Sequence, residues 1–132
     1  MGQKFIIDSN VIIDYTASRL PKQGSDFVEQ IFNSDFIISV VVKIEVLGFD
    51  DLSKKMLILE EFVNTATILS LDDAITKQTI FLRRQHKKLK LGDAIIAATA
   101  KVHNLTLITR NAADFKNIAK LNIIDPHNII SH

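Results

Sequence analysis

Short apolar runs of a few residues alternate along the chain with longer segments in which apolar residues recur at helical spacing. The short runs are continuously apolar, which is typical of strands that are buried on both faces. Strands that alternate with helices predict an α/β fold with a central parallel β-sheet covered by helices on both faces. The predicted strands are residues 4–7, 36–39, 67–69, 107–108 and 122–124.

The intervening segments are predicted to be helical because their apolar residues return every three or four positions. Ser25 is a suitable N-cap for one helix, since Val28 and Ile31 then share one of its faces. The β-branched segment 41–47 is interpreted as a helix because a strand directly after residues 36–39 would leave no turn. The remaining predicted elements are a loop over residues 20–24 and helices over residues 10–18, 54–63, 72 or 73 to about 88, 94–103 and 112–116.

Length and composition fit a single globular domain over residues 1–132. Apolar residues make up 47% of the chain, as in an ordinary globular core, and Gly and Pro are few, which disfavours disorder. The chain has no cysteine, which excludes disulfides, thiolate metal sites and a cysteine nucleophile. No signal-peptide pattern precedes the first strand and no apolar run approaches about 18 residues, so a cytoplasmic protein without a membrane span is expected.

The net charge of +1 hides an uneven distribution of charged residues. Between residues 83 and 120 there are nine basic residues but only two acidic ones, Asp93 and Asp114. A polyanion such as RNA is expected to dock on this basic part of the chain. For residues 83–90 alone, a solvated helix face explains the charges equally well. The basic residues are Arg83, Arg84, Lys87, Lys88, Lys90, Lys101, Arg110, Lys116 and Lys120.

Four acidic residues lie beside apolar runs that are predicted to form the core, namely Asp8, Glu45, Asp93 and Asp114. A charged carboxylate next to a core is destabilising unless it is paired or bound to a cation. Ligands of parallel sheets bind at the carboxyl ends of the strands, and Asp8 and Asp114 each follow a predicted strand. If the four acids converge, their mutual repulsion favours a bound divalent metal with oxygen ligands.

Each of these acids also has a structural explanation. Asp8 and Asp93 suit the N-cap of a following helix, and Asp114 suits a turn or a cap. Glu45 is harder to explain in this way, because the segment 41–47 is apolar almost all round and should be buried. A buried glutamate needs a cation or a partner, which favours a functional role for Glu45.

Several polar residues at or beside strand ends are candidates for orienting the carboxylates. These are Ser9, Ser39, Thr109 and Asn111, for which turn and capping hydrogen bonds are the alternative, above all for Ser39. A metal that lowers the pKa of a water requires no histidine or cysteine base. The histidines show no zinc-like spacing with another ligand and are interpreted as surface or terminal residues: His86, His103, His127 and His132.

The segments that hold the acids match a known family. Residues 5–15 read as an apolar run followed by Asp, Ser and Asn, which resembles the opening motif of PIN-domain nucleases. Residues 38–48, 92–100 and 109–115 resemble the second, third and fourth motifs of that family, and the third is the most specific. The order and spacing of the motifs cover essentially the whole chain. Its length resembles the small prokaryotic branch, the VapC-type ribonucleases of toxin–antitoxin pairs.

The resemblance implies a three-layer α/β/α fold with a central parallel β-sheet, a homodimer, and Mg²⁺- or Mn²⁺-dependent cleavage of RNA. It also implies a small antitoxin whose C-terminal segment occupies the active-site groove. Ser9 stands where Thr is commoner, which keeps the hydroxyl group. Carried over motif by motif, the metal-binding and catalytic acids are Asp8, Glu45, Asp93 and Asp114, with Ser9, Thr109 and Asn111 in support.

Two other functions stay open from the sequence. A phosphotransferase or phosphatase with an aspartyl nucleophile would use Asp8 with Mg²⁺, although Asn10 stands where such a motif expects a second Asp. The second open function is that of a non-catalytic RNA-binding module with the same fold. An antitoxin helix would need exposed apolar residues, for which Phe27, Ile31 and Phe49 are candidates, with core packing as their alternative role.

Overall fold

The computed structural model of the chain describes residues 4–48 and 54–129. Within these ranges, the strands are β1 (Phe5–Ile7), β2 (Ile37–Ser39), β3 (Thr67–Leu69), β4 (Thr106–Ile108) and β5 (Ile123–Ile124). The helices are α1 (Ser9–Thr16), α2 (Lys22–Phe32), α3 (Val40–Leu47), α4 (Lys54–Asn64), α5 (Asp73–Gln85), α6 (Leu91–Val102) and α7 (Ala112–Phe115).

All the strands pair in parallel, in the order β3–β2–β1–β4–β5. Strand β1 lies at the centre, where Ile6 is in register with Ile37 of β2 and with Leu107 of β4. The chain runs from β1 outward to β2 and β3, and then crosses to β4 on the other side of β1. The border between β1 and β4 is therefore the switch point at which ligands of such sheets bind. The parallel sheet flanked by helices confirms the predicted α/β/α fold.

The strands and one helix of small residues form the core. Helix α6 buries every residue from Ala94 to Ala100 and contacts β2 and β4. Because α6 leads back to the start of β4, its first turn lies at the opposite, carboxyl edge of the sheet. Each fully buried Ile or Leu stabilises the fold by about 1.5–3 kcal/mol. The strand residues without solvent exposure include Ile6, Ile7, Ile38, Leu107 and Ile108.

Helix α2 does not begin where Ser25 would cap it. It begins at Lys22, after Pro21, so the predicted loop ends before residue 22 and Ser25 lies inside the helix. Gly24 also belongs to the helix, where a Cβ atom would lie 1.7 Å from the carbonyl oxygen of Pro126. The glycine is thus required for the close approach of a distant segment of the chain rather than for a turn.

Three other helices differ from the prediction at their ends. Helix α1 begins at Ser9 and ends at Thr16, and Asp8 is its N-cap. Helix α5 ends at Gln85 rather than near residue 88, since the buried Leu89 draws the following loop back onto the protein. Helix α6 begins at Leu91 with Lys90 at its N-cap, so Asp93 lies in the first turn and the capping explanation for Asp93 is wrong.

The helices are short compared with a lipid bilayer. The longest helix of the described residues, α5, has 13 residues. At 1.5 Å per residue, such a helix spans about 20 Å, whereas the hydrocarbon core of a bilayer is about 30 Å thick. Accordingly, the described ranges contain no helix that is long and apolar enough to cross a membrane.

Candidate functional site

Asp8 lies at the carboxyl end of the central strand, where β1 passes into α1. Its carboxylate is only 3% exposed, and its Oδ1 atom accepts a hydrogen bond of 2.8 Å from the backbone N–H of Ser9. The capping role considered for Asp8 is therefore real. Burial raises the pKa of Asp8, while hydrogen bonds from Thr109, Ser9 and Asn10 lower it in part. Asp8 therefore both caps α1 and lies at the switch point of the sheet.

Hydrogen bonds tie Asp8 to the end of the neighbouring strand β4. The hydroxyl of the fully buried Thr109 donates to Oδ2 of Asp8 at 2.8 Å. The side-chain amide of Asn10 donates to the same Oδ2 at 3.3 Å and accepts from the backbone N–H of Arg110 at 3.0 Å. The backbone N–H of Asn111 donates to the Thr109 hydroxyl at 3.1 Å. The ends of β1 and β4 are thus locked together around one carboxylate.

Glu45 reaches the same region from helix α3. Ser39 caps this helix by accepting a hydrogen bond of 3.1 Å from the N–H of Val41, which is the structural role considered for Ser39. The prediction that α3 is buried all round is wrong, because Ile44 is 63% exposed and Glu45 is also exposed. The pKa of Glu45 is nevertheless raised, first by partial burial of its side chain and then by the charges of Asp8 and Asp93. A hydrogen bond with the Ser9 side chain offsets part of this rise.

Asp93 and Asp114 are contributed by the first turns of α6 and α7. Burial raises the pKa of Asp93, the charges of Asp8 and Asp114 raise it further, and Lys90 lowers it. Gly92 brings α6 close to α3, since a Cβ atom there would lie 3.9 Å from Oε2 of Glu45. The acids therefore come from four different segments, and each carboxylate lies within the electrostatic reach of at least one other.

One cavity of about 310 Å³ collects these side chains at the carboxyl edge of the sheet. All four predicted acids line it, together with the predicted supporting residues Ser9 and Asn111. Thr109 lies behind the wall of the cavity, where it fixes Asp8. We call this space the acidic cavity. Its lining residues are Asp8, Ser9, Asn10, Ile13, Asp14, Arg19, Glu45, Lys90, Asp93, Arg110, Asn111 and Asp114.

Asp14, on the wall of this cavity, contacts Arg110 and His127, and the sequence patterns predicted neither contact. Asp14 of α1 is 1% exposed, and both of its oxygens accept hydrogen bonds from Nη1 of Arg110. His127, predicted to be a surface or terminal residue, has a side chain that is 29% exposed, and its Nε2 lies 3.0 Å from Oδ2 of Asp14. One signal was available: Asp14 follows Asn10 by four residues, so the two share a face of an otherwise apolar helix.

The raised pKa values predict a pH-dependent stability of the metal-free protein. Asp93 takes up its proton more readily in the folded state, so its contribution to stability is lost as pH rises from 3.8 through its raised pKa. In chelator, Asp93→Asn should therefore gain stability relative to the wild type as pH rises from about 4 to 7. Urea unfolding of both proteins at several pH values measures this difference. A difference that does not change with pH would show that Asp93 ionises equally easily in both states.

The fold and the site can now be compared with known proteins. Residues 5–121 match the family model of the PIN domain. The chain belongs to the PIN-domain family. This PIN domain is 26% identical over 125 residues to Ribonuclease VapC1 from Rickettsia felis, with 90% of this chain and 93% of that protein covered.

Solved structures give the same picture of this PIN domain. A chain of a toxin–antitoxin complex from Klebsiella pneumoniae is 28% identical and has a TM-score of 0.78, covering 96% of this chain and 100% of that one. A chain of VapBC-1 from nontypeable Haemophilus influenzae is 23% identical, also with a TM-score of 0.78, and covers 96% of this chain and 100% of that one. At that identity, the second likeness shows a shared fold.

The range matched by the PIN-domain model contains all four acids of the acidic cavity. VapC-type ribonucleases of this family are metal-dependent in general. The model match ends before His127, so the contact between His127 and Asp14 joins the PIN-domain motifs to a segment outside the matched range.

Proposed function

We propose that residues 1–132 form a single PIN domain that acts as a metal-dependent endoribonuclease, the toxin of a type II toxin–antitoxin pair. The observation that carries this proposal is the set of four carboxylates that line one cavity, where burial and the charges of neighbouring acids raise the pKa values of Glu45 and Asp93. Family membership and the relative named Ribonuclease VapC1 support the same reaction. A cytoplasmic location follows from the proposed RNA substrate.

The acidic cavity fits a hard divalent cation, Mg²⁺ or Mn²⁺, better than a soft one. Asp8, Glu45, Asp93 and Asp114 line it, a fifth acid, Asp14, is paired with Arg110, and no histidine lines it. In residues 4–48 and 54–129, no three His, Asp or Glu side chains form a ready-made set of metal ligands. Mg²⁺ does not require such a set, because it keeps several waters and binds directly to only one or two carboxylates. We therefore assign metal binding to these four acids.

The side chains of the acidic cavity have different roles in the proposed reaction. A bound cation would lower the pKa of an attacking water and offset negative charge on the phosphate. Asp8, fixed by Thr109 and by the Ser9 backbone, provides the rigid part of the site. Glu45 and Asp93, whose pKa values are raised, orient the water and accept its proton. Asn111 lies on the cavity wall, where its amide can donate to a phosphate oxygen.

A second cavity supports RNA as the substrate. It has a volume of about 460 Å³ and shares Lys90, Asp93 and Asp114 with the acidic cavity. Lys87 and Lys88 also line it, so we call it the basic cavity. Basic side chains attract the phosphates of a single strand and hold it beside the scissile bond. The basic residues between α5 and α6 thus line a binding surface rather than only a solvated helix face.

An apolar groove supports an antitoxin partner. Ile13, Ala17, Ile58 and Leu59 line a groove of about 200 Å³, which shares Ile13 and Arg19 with the acidic cavity. An amphipathic helix can lie in such a groove while a following Arg or Lys reaches the carboxylates. Coexpression with the gene next to this one should yield an inactive complex. Purification of this chain without a bound protein after such coexpression would argue against the proposed antitoxin partner.

The residues first considered for an antitoxin helix do not form this surface. Ile31 is 7% exposed, and Phe27 is partly buried with its ring 5.6 Å from that of Phe5. These two residues therefore pack in the core, which was their alternative role. Phe49 lies outside the described residues.

A second apolar surface supports a homodimer. Ile80 and Phe81 of α5 and Leu91 of α6 are 47%, 50% and 54% exposed, and α5 packs against α6. We propose that this surface contacts a second copy of the chain, since clustered exposed apolar residues mark interaction sites. Sedimentation of Phe81→Ser should show a monomer where the wild type is a dimer. A wild-type monomer would rule out this interface.

The nuclease proposal is tested directly with protein purified free of any partner. It should cleave single-stranded RNA in Mg²⁺ or Mn²⁺ and stop when a chelator is added. Several RNA classes are needed, because the structure does not select a sequence. Binding of RNA without cleavage of any class would favour a non-catalytic RNA-binding module.

The aspartyl-nucleophile alternative is disfavoured by geometry. Both oxygens of Asp8 accept hydrogen bonds, and the side chain is buried. Asn10, which would replace the second Asp of such an enzyme, is engaged by Asp8 and by the Arg110 backbone. A phosphorylated Asp8 detected by mass spectrometry would reverse this conclusion.

A further inference from the structure

A buried carboxylate beside the acidic cavity has no role in the proposed reaction. Asp14 is 1% exposed, and Nη1 of Arg110 lies 3.1 Å from its Oδ1 and 3.0 Å from its Oδ2. His127 Nε2 lies 3.0 Å from the same Oδ2. A buried charge is tolerated only when it is paired and hydrogen-bonded. Asp14 therefore holds Arg110 and His127 in fixed positions.

Arg110 is fixed at both ends. Its backbone N–H donates to Oδ1 of Asn10 at 3.0 Å, and its guanidinium is bound by Asp14. The Arg110 side chain is 48% exposed and lines the acidic cavity. A guanidinium carries five N–H donors in a rigid planar group, and its contacts with Asp14 involve only Nη1. The exposed part of this cation is thus held at the rim of the carboxylate cluster.

The C-terminal loop supports this arrangement. The side chain of Asp125 accepts a hydrogen bond of 2.9 Å from the backbone N–H of His127. Pro126 packs so closely on Gly24 that α2 has no room for a Cβ atom there. The loop is therefore anchored on α2, and His127 is presented to Asp14 from a segment beyond the residues that the family model matches.

The position of Arg110 relative to the lysines indicates what it binds. Arg110 lines the acidic cavity but not the basic cavity, whereas Lys87 and Lys88 line only the basic cavity. A strand that crosses the carboxylates needs positive charge on both sides, because the acids repel its phosphates. Arginine is suited to this role, since its planar group pairs with phosphate oxygens in a bidentate manner.

We propose that Asp14 is a positioning residue that holds the Arg110 guanidinium in place to bind an RNA phosphate next to the scissile one. This inference rests on the proposed nuclease function. In this arrangement Arg110 binds one side of the strand and the lysines of the basic cavity bind the other side. Arg110 contributes equally to binding of the substrate and of the transition state, so its loss changes affinity rather than the chemical step.

The test compares Arg110→Gln and Asp14→Asn with the wild type. The probe is a fluorescein-labelled single-stranded RNA of mixed sequence, and anisotropy is measured in chelator so that no cleavage occurs. Arg110→Gln should weaken binding about tenfold, the usual effect of losing a charge-assisted hydrogen bond. It should also reduce the slope of log K against log salt by about 0.7, the value for one phosphate contact on a single strand.

Asp14→Asn tests whether Asp14 positions Arg110 without binding RNA itself. The asparagine keeps the shape of the side chain and one acceptor oxygen but removes the charge that pairs with Arg110. It should weaken binding less than Arg110→Gln, and the double variant should bind no more weakly than Arg110→Gln alone. In cleavage assays with Mn²⁺, both variants should raise KM and leave kcat unchanged. Lys22→Gln is the matched control, since Lys22 is an exposed cation paired with Asp26 at 3.2 Å on α2.

Three outcomes would overturn the inference. One is unchanged affinity and salt slope in Arg110→Gln with a lower melting temperature, which would make the contacts purely structural. Another is a fall in kcat at constant KM, which would place Arg110 at the scissile phosphate. The third is a loss of RNA affinity in the double variant that equals the sum of the losses in the two single variants. If Arg110→Gln weakens binding but wild-type protein cleaves no RNA, the assignment of Arg110 to an RNA phosphate stands, whereas the nuclease proposal and the place of that phosphate beside a scissile bond fail.

Discussion

Replacing Asp8 with asparagine should lower the rate of RNA cleavage by about 10³-fold while the protein stays folded. Asp8 is the acid at the centre of the site, because it lies at the switch point of the sheet and its charge raises the pKa values of both Glu45 and Asp93. An amide in its place carries no negative charge and is a poorer ligand for a hard cation. The measurement is single-turnover cleavage of a labelled RNA in Mn²⁺.

The fold should tolerate this change. Asparagine is as good an N-cap as aspartate, so the hydrogen bond from the Ser9 N–H can persist. Burial raises the pKa of Asp8, which means that its ionised form is disfavoured in the folded protein. Metal-free Asp8→Asn should therefore remain folded, although the amide NH₂ that replaces Oδ2 cannot accept the hydrogen bonds from Thr109 and Asn10. Loss of both activity and folded structure would instead make Asp8 a structural residue.

A matched control for this prediction is available on α2. Asp26 is an exposed carboxylate paired with Lys22, and it lines neither the acidic nor the basic cavity. Asp26→Asn should cleave RNA at the wild-type rate. If Asp8→Asn also cleaves at the wild-type rate in the same assay, the acidic cavity is not the active site.

Adding Mn²⁺ to metal-free protein should raise its melting temperature by roughly 10 °C at a concentration one hundred times Kd. At that ratio a ligand that binds only the folded state contributes about 2.7 kcal/mol. The physical reason is repulsion, since neighbouring charges raise the pKa values of Glu45 and Asp93 when no cation is present. Differential scanning fluorimetry with a Mn²⁺ titration, after treatment with chelator, measures the effect.

Glu45→Gln should reduce the rise in melting temperature that Mn²⁺ causes, for two reasons. Removing one charge relieves repulsion in the metal-free protein and takes away one oxygen ligand for the cation. Glu60→Gln on α4 is the matched control, because Glu60 is exposed and lines none of the cavities near the site. A melting temperature that is insensitive to Mn²⁺ in the wild type, together with strong destabilisation by Glu45→Gln, would indicate a structural role for Glu45.

Local sequence patterns predicted the strands and most helices because those patterns act within a few residues. The continuous apolar runs predicted strands that are buried on both faces, and most residues of β1, β2 and β4 are indeed buried in the sheet. The prediction failed at Ser25 because the decisive contact is distant. Gly24 was interpreted as a loop residue, yet it lies in α2 where Pro126 packs against it. No local signal reports a contact between segments so far apart.

The same distinction applies to the acidic cavity. Asp8, Glu45, Asp93 and Asp114 were recognised because each lies beside or within an apolar run. Their acidic character and order are local features, whereas their convergence depends on the sheet order. The contact between His127 and Asp14 was not predicted because the two residues are 113 positions apart along the chain. A lone histidine near a chain end gives no indication of such a partner.

The central position of β1 has a consequence for biosynthesis. Phe5 pairs with Thr106, so one side of β1 has no neighbour in the sheet until β4 has been made. Contacts between such distant segments form late, since a long loop must close first. Thr109, which fixes Asp8, and Asp114, which completes the acid cluster, come later still. A growing polypeptide therefore lacks a complete cleavage centre until β4 and α7 have both been made and have packed beside β1.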